Sequence, residues 1–449
     1  MQNTQVSSHE RINSHEPINS HEPINSHELN SLKSIKANSP QAPLTLNSPF
    51  TLNCGQVIQN RLFKSAMSEQ LGNSTHNPTT GLNTLYRRWA QGGIGLAITG
   101  NIMIDRAALG EPKNVVLDEL SDLSAFKAWA KAGQNHHTQL WTQLNHPGKQ
   151  IPKFICNTPV APSAIPLEQG LEKGFNTPRA LTDKEIQSII QKFATSAALS
   201  KQAGFSGIQI HGAHGYLVSQ FLSPKHNQRQ DKWGGTIENR MRFVLAVYQA
   251  IREQVGKTFP IGIKLNSADF MKGGFTEEDS MTVVQALGEA GIDLIEISGG
   301  TYESPSMMGH KAKTSTYARE AYFIDYIEKA RRITNTPLVL TGGFRSAKGM
   351  QAALDTGATD FIGLARTTAI DPDFPHKLMS DIHHEQALKR LTTGIPTIDK
   401  IAMLNITWYE QQLAQMAKGN PPNPKLSEWK TFFSVLFNAG LYAFKKRRI

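Results

Sequence analysis

The sequence predicts a (β/α)8 barrel of the α/β class. Three observations lead there. Eight short, β-rich apolar runs recur between about Leu46 and Asp373: RLFKSAM (61–67), GLAITG (95–100), TQLWTQLN (138–145), GIQIHGA (207–213), PIGIKLN (260–266), DLIEISGG (293–300), PLVLTGG (337–343) and DFIGLAR (360–366). The segments between them are long enough to hold crossover helices. The runs are apolar nearly throughout rather than alternating, as strands covered on both faces are. An open doubly wound sheet is the competing arrangement, but the first run lacks the GxGxxG turn into a helix.

The elements are justified in chain order. Residues 1–45 stand apart. The unit INSHEP repeats between Ile12 and Leu29, without aromatics and without an apolar face at either helical or strand period. It reads as a disordered tail. Its regularly spaced His9, His15, His21 and His27 suit opportunistic metal binding no better than a functionless repeat expansion. Residues 46–390 form the expected barrel. The best-marked helix is TDKEIQSIIQKFATSAALSKQAG. Thr182 and Glu185 make a capping box, Ile186, Ile189, Ile190 and Phe193 fall on one face, and Gly204 closes it. Residues 391–449 are a helical extension. Thr397 to Lys418 reads as one helix, stopped by Asn420-Pro-Pro-Asn-Pro. The last stretch sets Trp429, Phe432, Phe433, Leu436, Phe437, Leu441 and Phe444 beside a basic end. That pattern fits a helix packed on its own barrel, a subunit contact, or a weak membrane-surface contact.

Composition narrows the classes. Of 449 residues 19% are charged and 39% hydrophobic, so most of the chain can bury a core. Two cysteines, Cys54 and Cys156, make neither a disulfide framework nor a four-cysteine metal site. No apolar run approaches the ~20 residues of a membrane span, and no secretory signal is seen. A reduced, cytoplasmic protein is expected. The net charge of +10 is concentrated only at Lys445, Lys446, Arg447 and Arg448, and no nucleic-acid signature accompanies it.

Active sites of such barrels lie at the C-terminal ends of the strands. The residues there are Ser65-Ala66-Met67-Ser68, Gly100-Asn101, Gln143 with Asn145-His146, His211 with His214 and Tyr216, Lys264 with Asn266, Ser298-Gly299-Gly300, Gly342-Gly343 and Ala365-Arg366. Glycines after the seventh run and Arg366 after the eighth suit a phosphate. Lys264 is read as a lone cation pointing into the site, and Gln143 as a donor and acceptor for a heterocycle edge. His211, His214 and Tyr216 come from one loop. Two imidazoles can hydrogen-bond one carbonyl oxygen, and a phenol can give a proton to a nearby carbon. A metal is disfavoured, because HxxH needs further ligands and no HExxH is present. Trp233, Gly234, Gly235, Glu238, Asn239 and Arg240 read as a structural fastening. The proline- and glycine-rich loop 151–180 reads equally as a lid and as a plain insertion.

The stretch HGAHGYLVSQFLSPKHNQRQDKWGGTIENRMRF resembles the signature of the Old Yellow Enzyme family of FMN-dependent ene reductases and NADH:flavin oxidoreductases. QLNHPGKQ, LIEISGGTYE and TGGFRS are also similar to it, and the resemblance covers roughly 46–380. It implies non-covalent FMN and NAD(P)H as electron donor. Ala66, Met67 and Gly100 match positions on the isoalloxazine, and Gln143 its pyrimidine edge. Lys264 matches the cation beside N1 and O2, where it would favour the anionic reduced form by charge. Gly343, Ala365 and Arg366 match the phosphate site. His211 and His214 match the pair that holds the substrate oxygen, and Tyr216 the proton donor. Ser68 stands where relatives carry threonine or cysteine near O4, and Gln70 where some subclasses carry an aromatic. The expected partner is a small electrophilic alkene, with an oligomer possible. Two alternatives are an NADH oxidase or quinone reductase without a specific alkene, and an aldolase with Lys264 as a Schiff base. Two cysteines and a 60-residue tail argue against the iron–sulfur relatives.

Overall fold

The computed structural model describes residues 44–304, 320–401 and 403–446. The INSHEP repeat and Arg447 and Arg448 of the basic end lie outside them. All eight apolar runs are strands: β1 (Leu62–Lys64), β2 (Leu96–Met103), β3 (Gln139–Asn145), β4 (Gly207–Gly212), β5 (Ile261–Asn266), β6 (Leu294–Ser298), β7 (Leu338–Thr341) and β8 (Phe361–Leu364). Each pairs in parallel with its sequence neighbours, and β8 pairs with β1, which closes the barrel. Helices follow the strands: α1 (Thr80–Gln91), α2 (Leu123–Gly133), α3 (Asp183–Gln202), α4 (Arg242–Val255), α5 (Glu277–Glu289), α6 (Ile324–Arg331), α7 (Ala347–Asp355) and α8 (Arg366–Ile370).

Side chains alternate between the faces of each strand, and here the alternation sorts two environments. Ile208, Ile210, Ile263, Leu265, Ile295 and Ile297 face the helices and belong to the main core. Phe63, Leu96, Ile98, Trp141, Leu294, Val339 and Phe361 fill the N-terminal half of the barrel interior. A short hairpin pairing Phe50–Thr51 with Val57–Ile58 closes that end, adding Leu52 and Ile58 to the interior cluster. Its Gln56 Oε1 accepts from the Trp141 indole at 3.0 Å. The next interior positions toward the C-terminal rim are polar, and the site is built there.

The capping box of α3 is present, with Thr182 accepting from the Glu185 amide and its four periodic apolar residues buried. The WGGTIENR stretch is a fastening: Trp233 Nε1 donates to Asp183 at 2.6 Å and Arg240 Nε to Leu222 O at 2.7 Å. Loop 151–180 is tied down. Lys149 Nζ donates to the carbonyls of Ile165 and Pro166 at 3.1 Å, and the Glu168 amide donates to Glu303 at 2.9 Å.

The extension differs from the single helix read over Thr397–Lys418. A helix over Pro396–Ile401 ends before Met403, whose φ of 45° breaks the axis, and α9 (Leu404–Ala417) starts anew. No glycine or proline marks the break. Tertiary burial of Leu404, Trp408, Leu413 and Met416 decides the restart over local propensity. Residues from Leu44 onward cluster as one unit, so the extension is part of the barrel's body. The last helix, α10 (Glu428–Lys446), buries Thr431 and leaves Phe433 and Phe437 exposed. No helix among the described residues is long and apolar enough to cross a membrane.

Candidate active site

The middle of the barrel holds a continuous polar layer. Lys264 on β5 lies 2.9 Å from Glu296 Oε1 on the neighbouring β6, both nearly fully buried. Glu296 also accepts from Thr341 on β7 at 2.8 Å and from Gln209 on β4 at 2.8 Å. Gln209 in turn accepts from Gln143 Nε2 on β3 at 2.7 Å. The reading of Lys264 as a lone cation is therefore corrected: its charge is matched within the barrel. Gln143 has likewise spent a donor on the protein. A buried carboxylate needs such a shell, because an uncompensated one is too costly.

One loop above this layer carries the His–His–Tyr group. His211, near the end of β4, accepts the Ala213 amide at Nδ1 (3.3 Å). Burial first, then His214 and Lys264, hold its pKa well below the usual imidazole range. A neutral ring with Nδ1 accepting carries its proton on Nε2, a donor directed away from the strand. His214 sits in the left-handed region, at φ 63°. Its amide donates to Asn266 Oδ1 at 3.2 Å, and its Nε2 lies 2.8 Å from Ser298 Oγ. Burial first, then Lys264, keep it neutral as well. The ring centres of His211 and His214 are 5.1 Å apart, and those of His211 and Tyr216 4.8 Å. Burial raises the Tyr216 pKa, so the phenol keeps its proton. Its hydroxyl lies 2.8 Å from that of Tyr302, which sequence reading missed although Tyr302 stands two residues after the Gly299-Gly300 rim.

The segment after β1 forms a third group. Ser68 Oγ donates to the Glu111 carboxyl at 2.6 Å. Gln70 Nε2 donates to Glu410 on α9 at 2.9 Å. Beneath them Lys64 is fully buried, donating to Ile98 O at 2.8 Å and Tyr86 Oη at 3.2 Å. Tyr86 hydrogen-bonds Glu69. Tyr86 also takes the Gly100 amide at 3.0 Å, where the β2–β3 register shifts between Ile98 and Asn101. The Gly100 N–H is thus used by the protein, which leaves its carbonyl and bare Cα for the flavin position that the resemblance implies. Ala66 and Met67 are half-buried beside this group, against the interior cluster and the main core respectively.

At the ends of β7 and β8 lies a cavity lined by Gly342, Gly343, Ala365, Arg366 and, from the extension, Asn405. Gly343 is required there. Its φ is 82°, and a Cβ would meet Glu320 O at 2.3 Å. A bare backbone beside an arginine is a cradle for a phosphate, so the residues present fit a phosphorylated flavin. Arg366→Ala should weaken FMN retention by about 1.5–3 kcal/mol, the weight of a charge-assisted bond, with the fold kept. Flavin content after prolonged dialysis measures this, and full retention would remove Arg366 from the phosphate site.

A sequence model of the NADH:flavin oxidoreductase / NADH oxidase family matches residues 45–385, which spans the barrel and the site residues other than Asn405 and Glu410. The chain belongs to this family, that of the Old Yellow Enzymes. The family is one of flavin-dependent oxidoreductases. An NADH-dependent flavin oxidoreductase of Hypocrea jecorina is 36% identical over 382 residues, covering 80% of this chain and 94% of that protein. The Old Yellow Enzyme homologue of Zymomonas mobilis superposes with a TM-score of 0.64 at 23% identity, covering 78% of this chain and 95% of the other. Morphinone reductase gives 0.65 at 24%, covering 78% and 92%. These two structures share the barrel fold. The family match stops before α9, so neither Asn405 nor Glu410 falls within it.

Proposed function

We propose that this Old Yellow Enzyme family member is an FMN-dependent ene reductase, which uses NAD(P)H to saturate the activated C=C bond of an α,β-unsaturated carbonyl compound. The observation that carries the reading is the loop 211–216. It sets a neutral imidazole with a proton on Nε2 within 4.8 Å, ring to ring, of a phenol that burial keeps protonated. One group donates to an oxygen and the other can protonate a carbon. That is the division of labour needed to reduce an alkene conjugated to a carbonyl.

A flavin held at Gly343, Ala365 and Arg366 would supply the hydride chemistry. The chain's own residues do the rest. His211 Nε2–H holds the substrate carbonyl and stabilises negative charge that develops on its oxygen. His214 braces the loop through Asn266 and Ser298 and flanks the same oxygen. Tyr216 Oη delivers the proton to the α-carbon. Tyr302, in hydrogen-bond contact with it, can replace that proton. The aldolase alternative loses support, because a Schiff-base lysine must present a neutral amine and Lys264 is bound to a buried carboxylate.

The test combines colour and product. The purified protein should be yellow and release FMN on denaturation. With NADH or NADPH it should convert a simple enone to the saturated ketone. Flavin-dependent NADH oxidation with oxygen or a quinone, but with no alkene reduced across a panel, would favour the oxidase reading instead.

A further inference from the structure

The cavity beside Arg366 is walled by more than the rim glycines. Thr367 follows Arg366 on α8, and Leu388 and Asn405 come from beyond residue 385, where the family match ends. Among the described residues that line it, Arg366 alone is charged. Thr367 is 1% exposed, and its hydroxyl is buried with no hydrogen-bond partner among the described residues. The threonines around it are bonded: Thr368 donates to Ala365 O at 2.8 Å, and Thr341 to Glu296 at 2.8 Å. A threonine inside a helix can turn its hydroxyl back onto a carbonyl of the preceding turn. Thr367 is the second residue of α8, and the residues three and four before it are Leu364 and Gly363 of β8. A buried hydroxyl left unpaired is costly, and valine would fill the same space without that cost. On the wall of this cavity the hydroxyl is placed to meet an acceptor brought by a ligand.

α9 starts at the same cavity. Asn405 is its second residue, and Met403 at the N-cap makes no side-chain bond to the first turn. The positive end of a 14-residue helix therefore lies at the wall that carries Arg366 and Thr367, an arrangement that suits an anion. Leu404, Trp408 and Leu413 fix that helix in the main core.

We propose that Thr367 and Asn405 are FMN-binding residues. The Thr367 hydroxyl donates to a phosphate oxygen, and the Asn405 amide brings a further donor from the C-terminal extension. The extension is thereby part of the cofactor site, and it helps set the preference for FMN over unphosphorylated riboflavin. The proposal rests on the FMN reading of this cavity and is independent of which acceptor the reduced flavin meets.

The flavin-free full-length chain is titrated with FMN and with riboflavin, each followed by quenching of flavin fluorescence, and its melting temperature is measured without flavin. Thr367→Val should lower FMN affinity by about 10- to 100-fold, the weight of one hydrogen bond to a charged group. Riboflavin affinity should not change, and the flavin-free melting temperature should be equal or higher, because the unpaired hydroxyl is gone. Thr367→Ser keeps the hydroxyl and should keep FMN affinity within a few-fold. Asn405→Asp should lower FMN affinity at least as far by setting a negative charge against the phosphate, again without changing riboflavin. An acidic residue in the first turn suits a helix, so α9 itself should not suffer. Wild-type FMN affinity in either variant strikes that residue from the site, and a parallel loss of riboflavin binding would reduce its role to structure. If Arg366→Ala loses the FMN preference while both other variants keep it, the cavity holds the phosphate without them and the proposal alone fails. Equal FMN and riboflavin affinities in the wild type would remove the phosphate reading together with the proposal. The expected affinities without any enone reduction would sink the ene-reductase reading and leave Thr367 and Asn405 in place.

Discussion

Tyr216→Phe should lower enone reduction by about 10²–10⁴-fold, the usual weight of a positioned general acid. The substitution keeps the ring against His211 and removes only the hydroxyl that meets Tyr302. Transfer of electrons from NADH to a quinone places no proton on carbon, so that activity should stay within a few-fold of the parent. The two activities measured side by side separate the roles. A fall in both would make Tyr216 a structural or nicotinamide-positioning residue. A fall in neither would mean that the proton comes from another group. Tyr302→Phe gives a graded companion, since it removes the hydroxyl behind Tyr216 without touching the donor itself.

Lys264→Met should destabilise the protein by about 3–5 kcal/mol, because it strands the Glu296 carboxylate in the barrel interior. Denaturant midpoints measure this. Lys264→Met combined with Glu296→Gln should recover most of the loss, as the neutral amide can still meet Gln209 and Thr341. Equal midpoints for the single variant and the wild type would show that the pair is not held in solution. The same pair bears on the flavin. Since Glu296 offsets the lysine charge, Glu296→Gln should raise the reduction potential of the bound flavin by leaving Lys264 uncompensated. An unchanged potential would place Lys264 too far from the isoalloxazine to act on it.

The barrel was legible because its signals are local. Each strand is a bounded apolar run, and α3 advertises its start through Thr182 and Glu185. The rim residues were legible for the same reason, since strand ends are where side chains emerge into the site. What escaped was set by pairing across the fold. Glu296 is one acidic residue within an apolar run, and nothing local says that it faces Lys264 on the adjacent strand rather than a helix. Lys64, Glu69 and Tyr86 look like ordinary strand, loop and helix residues until closure of β1 on β2 brings them together. Glu111 and Glu410 are separated by nearly the whole barrel in sequence. The break at Met403 carries no glycine or proline to announce it.

The left-handed backbone at His214 also constrains how this loop can change through evolution. At such a φ, histidine, asparagine and aspartate are among the few non-glycine residues commonly found, while β-branched and bulky residues are strained. A glycine would fit but would remove the side chain, and an aspartate would set a negative charge against a developing enolate. Asparagine alone keeps both the conformation and an N–H donor. Substitution at this position should therefore run along a two-residue path, histidine or asparagine, fixed as much by the peptide geometry as by the chemistry of the ligand.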